Sequence, residues 1–243
     1  MSISDSAIHL PFVFVDYASS SLDALANDVI AVKKPNPADL SQSIIWCESR
    51  AQIHSIKLSL ISAGQAAGIQ HILLPTIVTL QDWVWQHASL ELPIISETNK
   101  HLLLVEAIRQ SPTLFQTNNA WPLAKELVTL FNECTLAQVP LHEGEQSLRE
   151  ALQSSYQFSA TNTTNISRES EIVYRLWQAY REQLDARGWI DPVDYYSSWL
   201  MNTDIQFSFD TKHDYYLSGK HRLSTAEVKF LHQLSQTRPV SIY

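Results

Sequence analysis

SIIWCESRAQIHSIKLSLISAGQAAGIQHILLPTIVTLQDWVWQHA, residues 43–88, is the stretch that decides the fold. It opens with the apolar run 43–47, which has the length and bounds of a buried strand. A helix-type spacing of apolar residues follows and ends in a segment with two glycines, 64–68. A second apolar run, 72–80, then leads into a short helical stretch. This order of strand, helix, strand and helix is typical of a parallel sheet with crossover helices.

Sheet-type signals also lie on both sides of this stretch. The run PFVFVDY (11–17) predicts a buried strand, and a helix follows it that begins near the serines at 19–21. Near the C-terminus, HDYYLSG (213–219) predicts another strand, and Ser224 with Glu227 predicts the capping box of a helix. The chain ends within a further apolar run, from which we expect the natural polypeptide to continue.

Helical patterns replace the strand signal between about residue 96 and residue 200. Ser96 and Pro122 predict two helix starts, and an amphipathic helix is predicted to end at Gly188. The polar stretch 154–170 has no periodic pattern and predicts a mobile loop. We therefore expect an α/β fold with a helical insertion, divided into 1–95, 96–200 and 201–243.

Composition limits the classes of function that the chain can perform. Its 243 residues include 17 lysines and arginines against 25 aspartates and glutamates, a formal net charge of −8. A hydrophobic share of 45% excludes wholesale disorder. Charged residues make up 17%, below the roughly 25% that is typical, so we expect a partner to cover part of the surface. An acidic chain binds nucleic acid only through a local basic groove.

Cysteine usage and the N-terminus indicate the compartment. Cys47 and Cys134 each fall inside an apolar pattern, so we expect buried, reduced thiols. The first residues lack the basic segment of a secretory signal, and no apolar stretch reaches the roughly 18 residues that a membrane span requires. The sequence therefore predicts a cytoplasmic protein with no membrane contact.

Several kinds of catalytic site find little support in the sequence. Only five glycines occur, which argues against a glycine-rich phosphate loop. The histidines and cysteines show no metal-ligand spacing, and no GxSxG motif is present. Glu227 and Lys229 have the spacing of a metal-dependent nuclease site, with Asp210 and Asp214 upstream, but the predicted capping box places them on different faces of a helix. We expect no catalytic residue, metal or cofactor in this segment.

Aromatic residues near the end of the insertion leave two interpretations open. At helical spacing such residues are typical of a core, whereas exposed ones could stack on nucleic-acid bases. The residues concerned are Trp189, Tyr195, Tyr196 and Trp199.

Stretches distributed over the chain carry a family resemblance. They are, in order, VFVDYASSSLDALA (13–26), IIWCESRAQ (44–52), LLPTIVTLQDWVWQH (73–87), LDARGWIDPVDYYSSWL (184–200) and DYYLSGKHRLSTAEVKFLHQLS (214–235). Together they resemble the N-terminal part of a superfamily I helicase of the UvrD/RecB type. The AddB-type subunit of bacterial helicase–nuclease complexes, a member of the PD-(D/E)XK nuclease family, is the closer resemblance. It implies a RecA-like, P-loop NTPase-like sheet, with the helical insertion in the place of domain 1B.

The resemblance implies a path for single-stranded DNA. In the family, a Thr-Asn-Lys/Arg-Ala run touches the strand, and Ser49 and Arg50 fall on its polar positions. A Thr-Phe-His segment also lines the path, and Thr79 and Gln81 fall within the matching stretch. These four residues are the candidate DNA-binding residues.

The insertion contains the most specific match. LDARGWIDPVDYYSSWL is similar to the family signature Gly-x-x-Asp-Phe-x-Asp-Leu-Leu at Gly188, Asp191 and Asp194. A helix start with two acidic residues in its first turn explains the same three positions without any family relationship.

Both halves of the family's ATP site are degenerate in this chain. Ser218 and Gly219 stand where the family has its two acidic residues, and His221 stands at the glutamine. The glycine-rich loop that ends in Gly-Lys-Thr is replaced by residues that offer neither glycine nor lysine, namely Tyr17, Ala18, Ser19, Ser20 and Ser21.

The resemblance therefore implies a domain that has lost its ATPase site. We expect a non-catalytic scaffold that guides a DNA strand in an exonuclease acting on double-strand ends during recombinational repair. The nuclease domain would lie beyond Tyr243, and the partners would be DNA, bound weakly by this segment alone, and an AddA-type motor subunit. Two alternatives remain, a stand-alone protein-interaction module without a DNA role and an unrecognised α/β enzyme.

Overall fold

The fold consists of two compact units, one of which is discontinuous in sequence. The computed structural model describes residues 10–15, 20–32, 36–89, 91–110, 119–156, 163–202, 213–219 and 222–243. The first unit comprises Met1–Ala88 together with Trp199–Tyr243, and the second comprises Ser89–Ser198.

The first unit alternates strands with helices. Its elements, in chain order, are α1 (Ser21–Val32), β1 (Ser43–Cys47), α2 (Gln52–Ala66), β2 (Thr76–Thr79), α3 (Leu80–Gln86), β3 (Asp214–Ser218), α9 (Thr225–Ser235) and β4 (Val240–Ile242). Each of the predicted segments 43–47 and 213–219 contains a strand whose residues are almost all buried. Glu227 accepts a hydrogen bond from the backbone of Ser224 at 2.8 Å, so the predicted capping box is confirmed.

The described strands form one parallel sheet in the order β2-β1-β3-β4. Cys47, the last residue of β1, is paired with Thr79 at the end of β2 and with Ser218 at the end of β3. The α/β class and the parallel sheet are thus confirmed. Leu25, Val29 and Leu60 on the helices pack against the buried residues of β1.

The predicted buried strand at 11–17 is wrong for its described part, residues 11–15. Phe12 forms a single parallel bridge with Ile242, and Val13 donates a hydrogen bond to the Ile242 carbonyl at 2.7 Å. Phe14 is 96% exposed. The segment lies beside a strand of only three residues, and Pro11 has no N–H to donate, so there is little ladder to join.

The second unit is helical in its described parts. Its elements are α4 (Glu97–Arg109), α5 (Ala120–Leu136), a 3-10 turn (Leu141–Glu143), α6 (Glu145–Tyr156), α7 (Thr163–Arg187) and α8 (Pro192–Met201), the last of which extends three residues into the first unit. α4 packs against α5 and α7 around a core that includes Leu104, Ala124 and Leu184. Ser96 caps α4 by accepting from the Asn99 N–H, as predicted.

The predicted loop at 154–170 is wrong for its described residues, 154–156 and 163–170. α6 continues to Tyr156, α7 begins at Thr163, and residues 157–162 are outside the described ranges. α6 packs against α7, and this contact stabilises helices that polar composition does not predict. The predicted end of α7 is confirmed, because Gly188 has a φ of 62°, the left-handed conformation that terminates helices.

In the described part of the chain, no helix has the length and apolar character that crossing a bilayer requires.

Candidate nucleic-acid interface

The parallel sheet brings its strand ends to one edge. β2 lies on one side of β1 in the sheet, and β3 and then β4 lie on the other side. The direction in which successive strands are added to the sheet therefore reverses between β1 and β3. Open α/β sheets bind their ligands at such a switch point, beyond the carboxyl ends of the strands.

Arg50 extends from this edge just after β1. Its Nε donates to Oδ2 of Asp82 at 2.7 Å, and its Nη2 donates to Oδ1 at 2.5 Å. The arginine side chain is 77% exposed and the aspartate side chain 24%. The hydrogen bond from Arg50 lowers the pKa of Asp82, and the same bond raises the pKa of Arg50. The guanidinium is thus held in one orientation and remains open to solvent.

Thr79 positions the partner of this ion pair. It is the N-cap of α3, and its Oγ1 accepts a hydrogen bond from the Asp82 N–H at 3.0 Å. Ser49 and Gln81 are exposed at the same edge. The structure therefore brings all four candidate DNA-binding residues to the ends of two paired strands.

Asp82 was missed by the sequence reasoning. A threonine followed three residues later by an acid is a recognisable helix-start pattern, so Thr79 and Asp82 carried a signal. The ion pair with Arg50 carried none, because it depends on the pairing of β1 with β2.

The third strand end carries Ser218 and Gly219. The Oγ of Ser218 is buried and has no hydrogen-bond partner among the described residues. Gly219 has a φ of 76°, and a Cβ atom there would lie 2.6 Å from Nε2 of Gln52. Gln52, which the sequence did not single out, accepts a hydrogen bond from the Glu48 N–H at 3.0 Å. A side chain at position 219 would thus require displacement of Gln52.

The degenerate phosphate loop is described only in part. Tyr17, Ala18 and Ser19 lie outside the described residues. The Ser20 carbonyl accepts from the N–H groups of two α1 residues at 3.1 and 3.0 Å, and Ser21 is the first residue of that helix.

The signature-like acids of the insertion have structural partners. Asp191 accepts from the Val193 N–H at 2.8 Å and so caps α8. The same buried carboxylate lies 3.0 Å from the Lys100 Nζ and accepts from the Tyr180 hydroxyl at 2.5 Å. Burial, with the nearby negative charge of Asp191, raises the pKa of Tyr180. Asp194 forms an ion pair with Arg181.

The remaining sequence-based candidates are accounted for by packing. Tyr196 and Trp199 are buried, so the core interpretation holds for both, and Trp189 and Tyr195 are half-buried. Both cysteines are buried free thiols, as predicted, and burial raises the pKa of Cys134 to about 11. No group of three or more metal-ligating side chains occurs within the described ranges.

A comparison with models of protein families gives no match, and a comparison with curated proteins gives no significantly similar sequence.

Proposed function

We propose that the chain is a RecA-like, helicase-like domain that does not hydrolyse ATP and guides a single DNA strand. In this proposal it serves as a scaffold within a DNA-end-processing exonuclease of the AddB type and binds an AddA-type motor subunit. The nuclease activity belongs to a separate part of that protein.

One observation carries the DNA-guiding role. Two motif-like stretches far apart in sequence place Ser49, Arg50, Thr79 and Gln81 at one edge of the sheet, because Cys47 is paired with Thr79. An exposed guanidinium held by a bidentate ion pair is well suited to contact phosphate oxygens. The negative net charge of the chain makes that contact weak.

Position 219 supports the loss of ATPase activity. The second acidic residue of the family's magnesium and water site would stand there, where the backbone is left-handed and the Gln52 amide fills the adjacent space. The matched first position holds a buried serine hydroxyl, which lacks the charge that a magnesium ligand requires.

Fluorescence anisotropy with a labelled single-stranded oligonucleotide tests the proposed DNA contact. We expect weak binding at low salt, and Arg50→Ala should weaken it about fivefold or more because a phosphate contact is lost. Lys57→Ala is the matched control, since it removes the same charge from an exposed position of α2 in the same unit. Equal losses in the two variants would refute a specific role for Arg50. Nanomolar affinity at physiological salt would refute the expectation of weak binding.

A second candidate function is a protein-interaction module without a DNA role. The exposed apolar side chains of Leu58 and Leu73 favour it. In the same unit, a cavity of about 260 Å³ is lined by Ile61, Ile69, Ile72 and Leu74 together with Gln65, Gln70 and His71. The size of the native polypeptide in the source cell separates the two functions. An immunoblot band several times larger than 27.6 kDa is expected for the exonuclease, and a band at that mass favours the module.

A further inference from the structure

A second cavity lies wholly within the helical unit, and none of its lining residues is assigned to the DNA interface. Its volume is about 350 Å³, within the range of roughly 300–1,000 Å³ that small-molecule sites occupy. The turn after α5 forms one side, and residues of α7 and α8 form the others. It contains a flat aromatic wall, a guanidinium and an amide.

Trp177 supplies the aromatic wall. It lines the cavity and stacks on Tyr174, with ring centroids 5.8 Å apart and an angle of 23° between the planes. Tyr174 is in turn fixed by a hydrogen bond from Gln178 at 3.2 Å. A tryptophan held in this way offers a rigid, flat surface on which a planar ring can stack.

Arg181 supplies the cationic group. Its Nη1 donates to Asp194, which also accepts from Oγ1 of Thr135 at 3.0 Å. Among the residues that the structure describes, nothing accepts from Nε or Nη2 of Arg181, and its side chain is 37% exposed. The ion pair therefore fixes the orientation of the guanidinium while leaving donors for a further anion. Since Asp194 neutralises the arginine, a ligand with one anionic group fits better than a polyanion.

Gln138 supplies the polar edge. It is the left-handed residue after α5, with a φ of 60°, a position where glycine is usual. Its Nε2 donates to Oγ of the buried Ser197 at 2.5 Å and to the Thr135 carbonyl at 3.1 Å. No described donor is hydrogen-bonded to its Oε1, which is free to accept from a ligand. A non-glycine residue in this conformation costs stability, which is consistent with a retained function for its side chain.

We propose that this cavity binds a nucleoside monophosphate unit, with its base stacked on Trp177 and its phosphate bound by Arg181. The amide of Gln138 would hydrogen-bond the edge of the base. Two sources offer this chemistry, a free mononucleotide and the terminal nucleotide of a strand. Trp177 and Arg181 lie one turn apart on α7, and Gln138 lies in the turn after α5, so two separate segments form the site.

Calorimetric titration of the full chain with AMP, GMP, CMP and UMP tests the assignment. We expect saturable binding at one site for at least one of them. Adenosine and ribose 5-phosphate should bind about tenfold more weakly than AMP if AMP is bound, because each lacks one of the two main contacts. A 5′-phosphorylated oligothymidylate distinguishes the two sources. If this probe binds through the same residues and the free mononucleotides do not bind, the site is assigned to a strand terminus.

Conservative variants separate binding from folding. Arg181→Lys keeps the charge beside Asp194 but loses the fork geometry, so we expect binding to weaken about tenfold. Arg175→Lys on the same helix is the control, because Arg175 pairs with Glu171 and does not line the cavity. Gln138→Gly should weaken binding, because the side-chain amide is lost. It also relieves the left-handed strain, so we expect the midpoint of urea unfolding not to decrease. Absence of binding by all of these probes, or equal binding by both arginine variants, would overturn the assignment.

Discussion

At the scale of single residues, the Arg50–Asp82 pair would have two opposing effects on the proposed DNA contact. Asp82 holds the guanidinium in place, but it also occupies two of the donors that a phosphate would use. Because the hydrogen bond from Arg50 lowers its pKa, Asp82 stays ionised to lower pH than an ordinary aspartate, and there it would still compete with a bound phosphate for Arg50.

Asp82→Asn should therefore strengthen binding of single-stranded DNA. The substitution removes a negative charge beside Arg50 and leaves the Thr79 cap in place, because that cap uses the backbone N–H. We expect an increase in affinity of about three- to tenfold at low salt and a steeper dependence on salt concentration. Anisotropy titrations over a salt series give both quantities. An unchanged or lower affinity would mean that Asp82 acts only by orienting Arg50.

Gly219 and Gly68 allow two physical reasons for a glycine to be compared, a left-handed backbone and a lack of space for a side chain. Both have φ near 77°, but a Cβ at 219 meets Gln52 at 2.6 Å, whereas one at 68 meets nothing within 4 Å. Gly68→Ala should cost about 1 kcal/mol from backbone strain, and Gly219→Ala roughly 2–3 kcal/mol because Gln52 must also move. Urea denaturation measures the difference. Gln52→Ala combined with Gly219→Ala should bring the cost towards that of Gly68→Ala, and no such rescue would contradict the steric explanation.

At the scale of elements, one buried carboxylate joins three helices of the second unit. Asp191 caps α8 and binds Lys100 of α4 and Tyr180 of α7. Lys100 is 1% exposed and also donates to Asn132 of α5 at 2.9 Å. Such a network is satisfied only when every member is present, so removal of one charge leaves the other buried and unpaired.

Lys100→Met should destabilise the protein by about 3–5 kcal/mol, because it leaves the Asp191 carboxylate without a counter-charge. Arg175→Met, which breaks an exposed ion pair on the same unit, should cost no more than about 1 kcal/mol. Thermal and urea unfolding measure both changes. Adding Asp191→Asn to Lys100→Met should recover part of the loss, and a fully additive double variant would argue against direct coupling.

The elements that the sequence predicts best are those defined by local chemistry. The box of Ser224 with Glu227 and the end of α7 at Gly188 are both confirmed, since each depends on contacts within one or two turns. Local reasoning fails for residues 154–156 and 163–170, which belong to α6 and α7, two helices that pack against each other. It fails likewise for Asp82 and Gln52, whose partners are brought to them by the parallel pairing of strands that are distant in sequence.

At the scale of the whole molecule, the two units differ in continuity. Ser89–Ser198 is a single segment with its own core, whereas the sheet unit needs both ends of the chain. We expect an excised Ser89–Ser198 chain to show a helical circular dichroism spectrum and cooperative unfolding. Met1–Ala88 alone should remain unfolded, because β1 then lacks the β3 neighbour with which it pairs along its full length. A non-cooperative Ser89–Ser198 chain would contradict this independence.

The position of β3 between β1 and β4 also determines when the protein can fold on the ribosome. β1 is complete at Cys47, but β3 begins only at Asp214, after the entire helical unit has been synthesised. Throughout that interval, one side of β1, a strand that is fully buried in the folded protein, presents unpaired N–H and C=O groups to the solvent or to a neighbouring nascent chain. This delay favours strand exchange between copies of the chain that are made on one polysome. Slower translation through the helical unit would lengthen the time for which the edge of β1 is exposed.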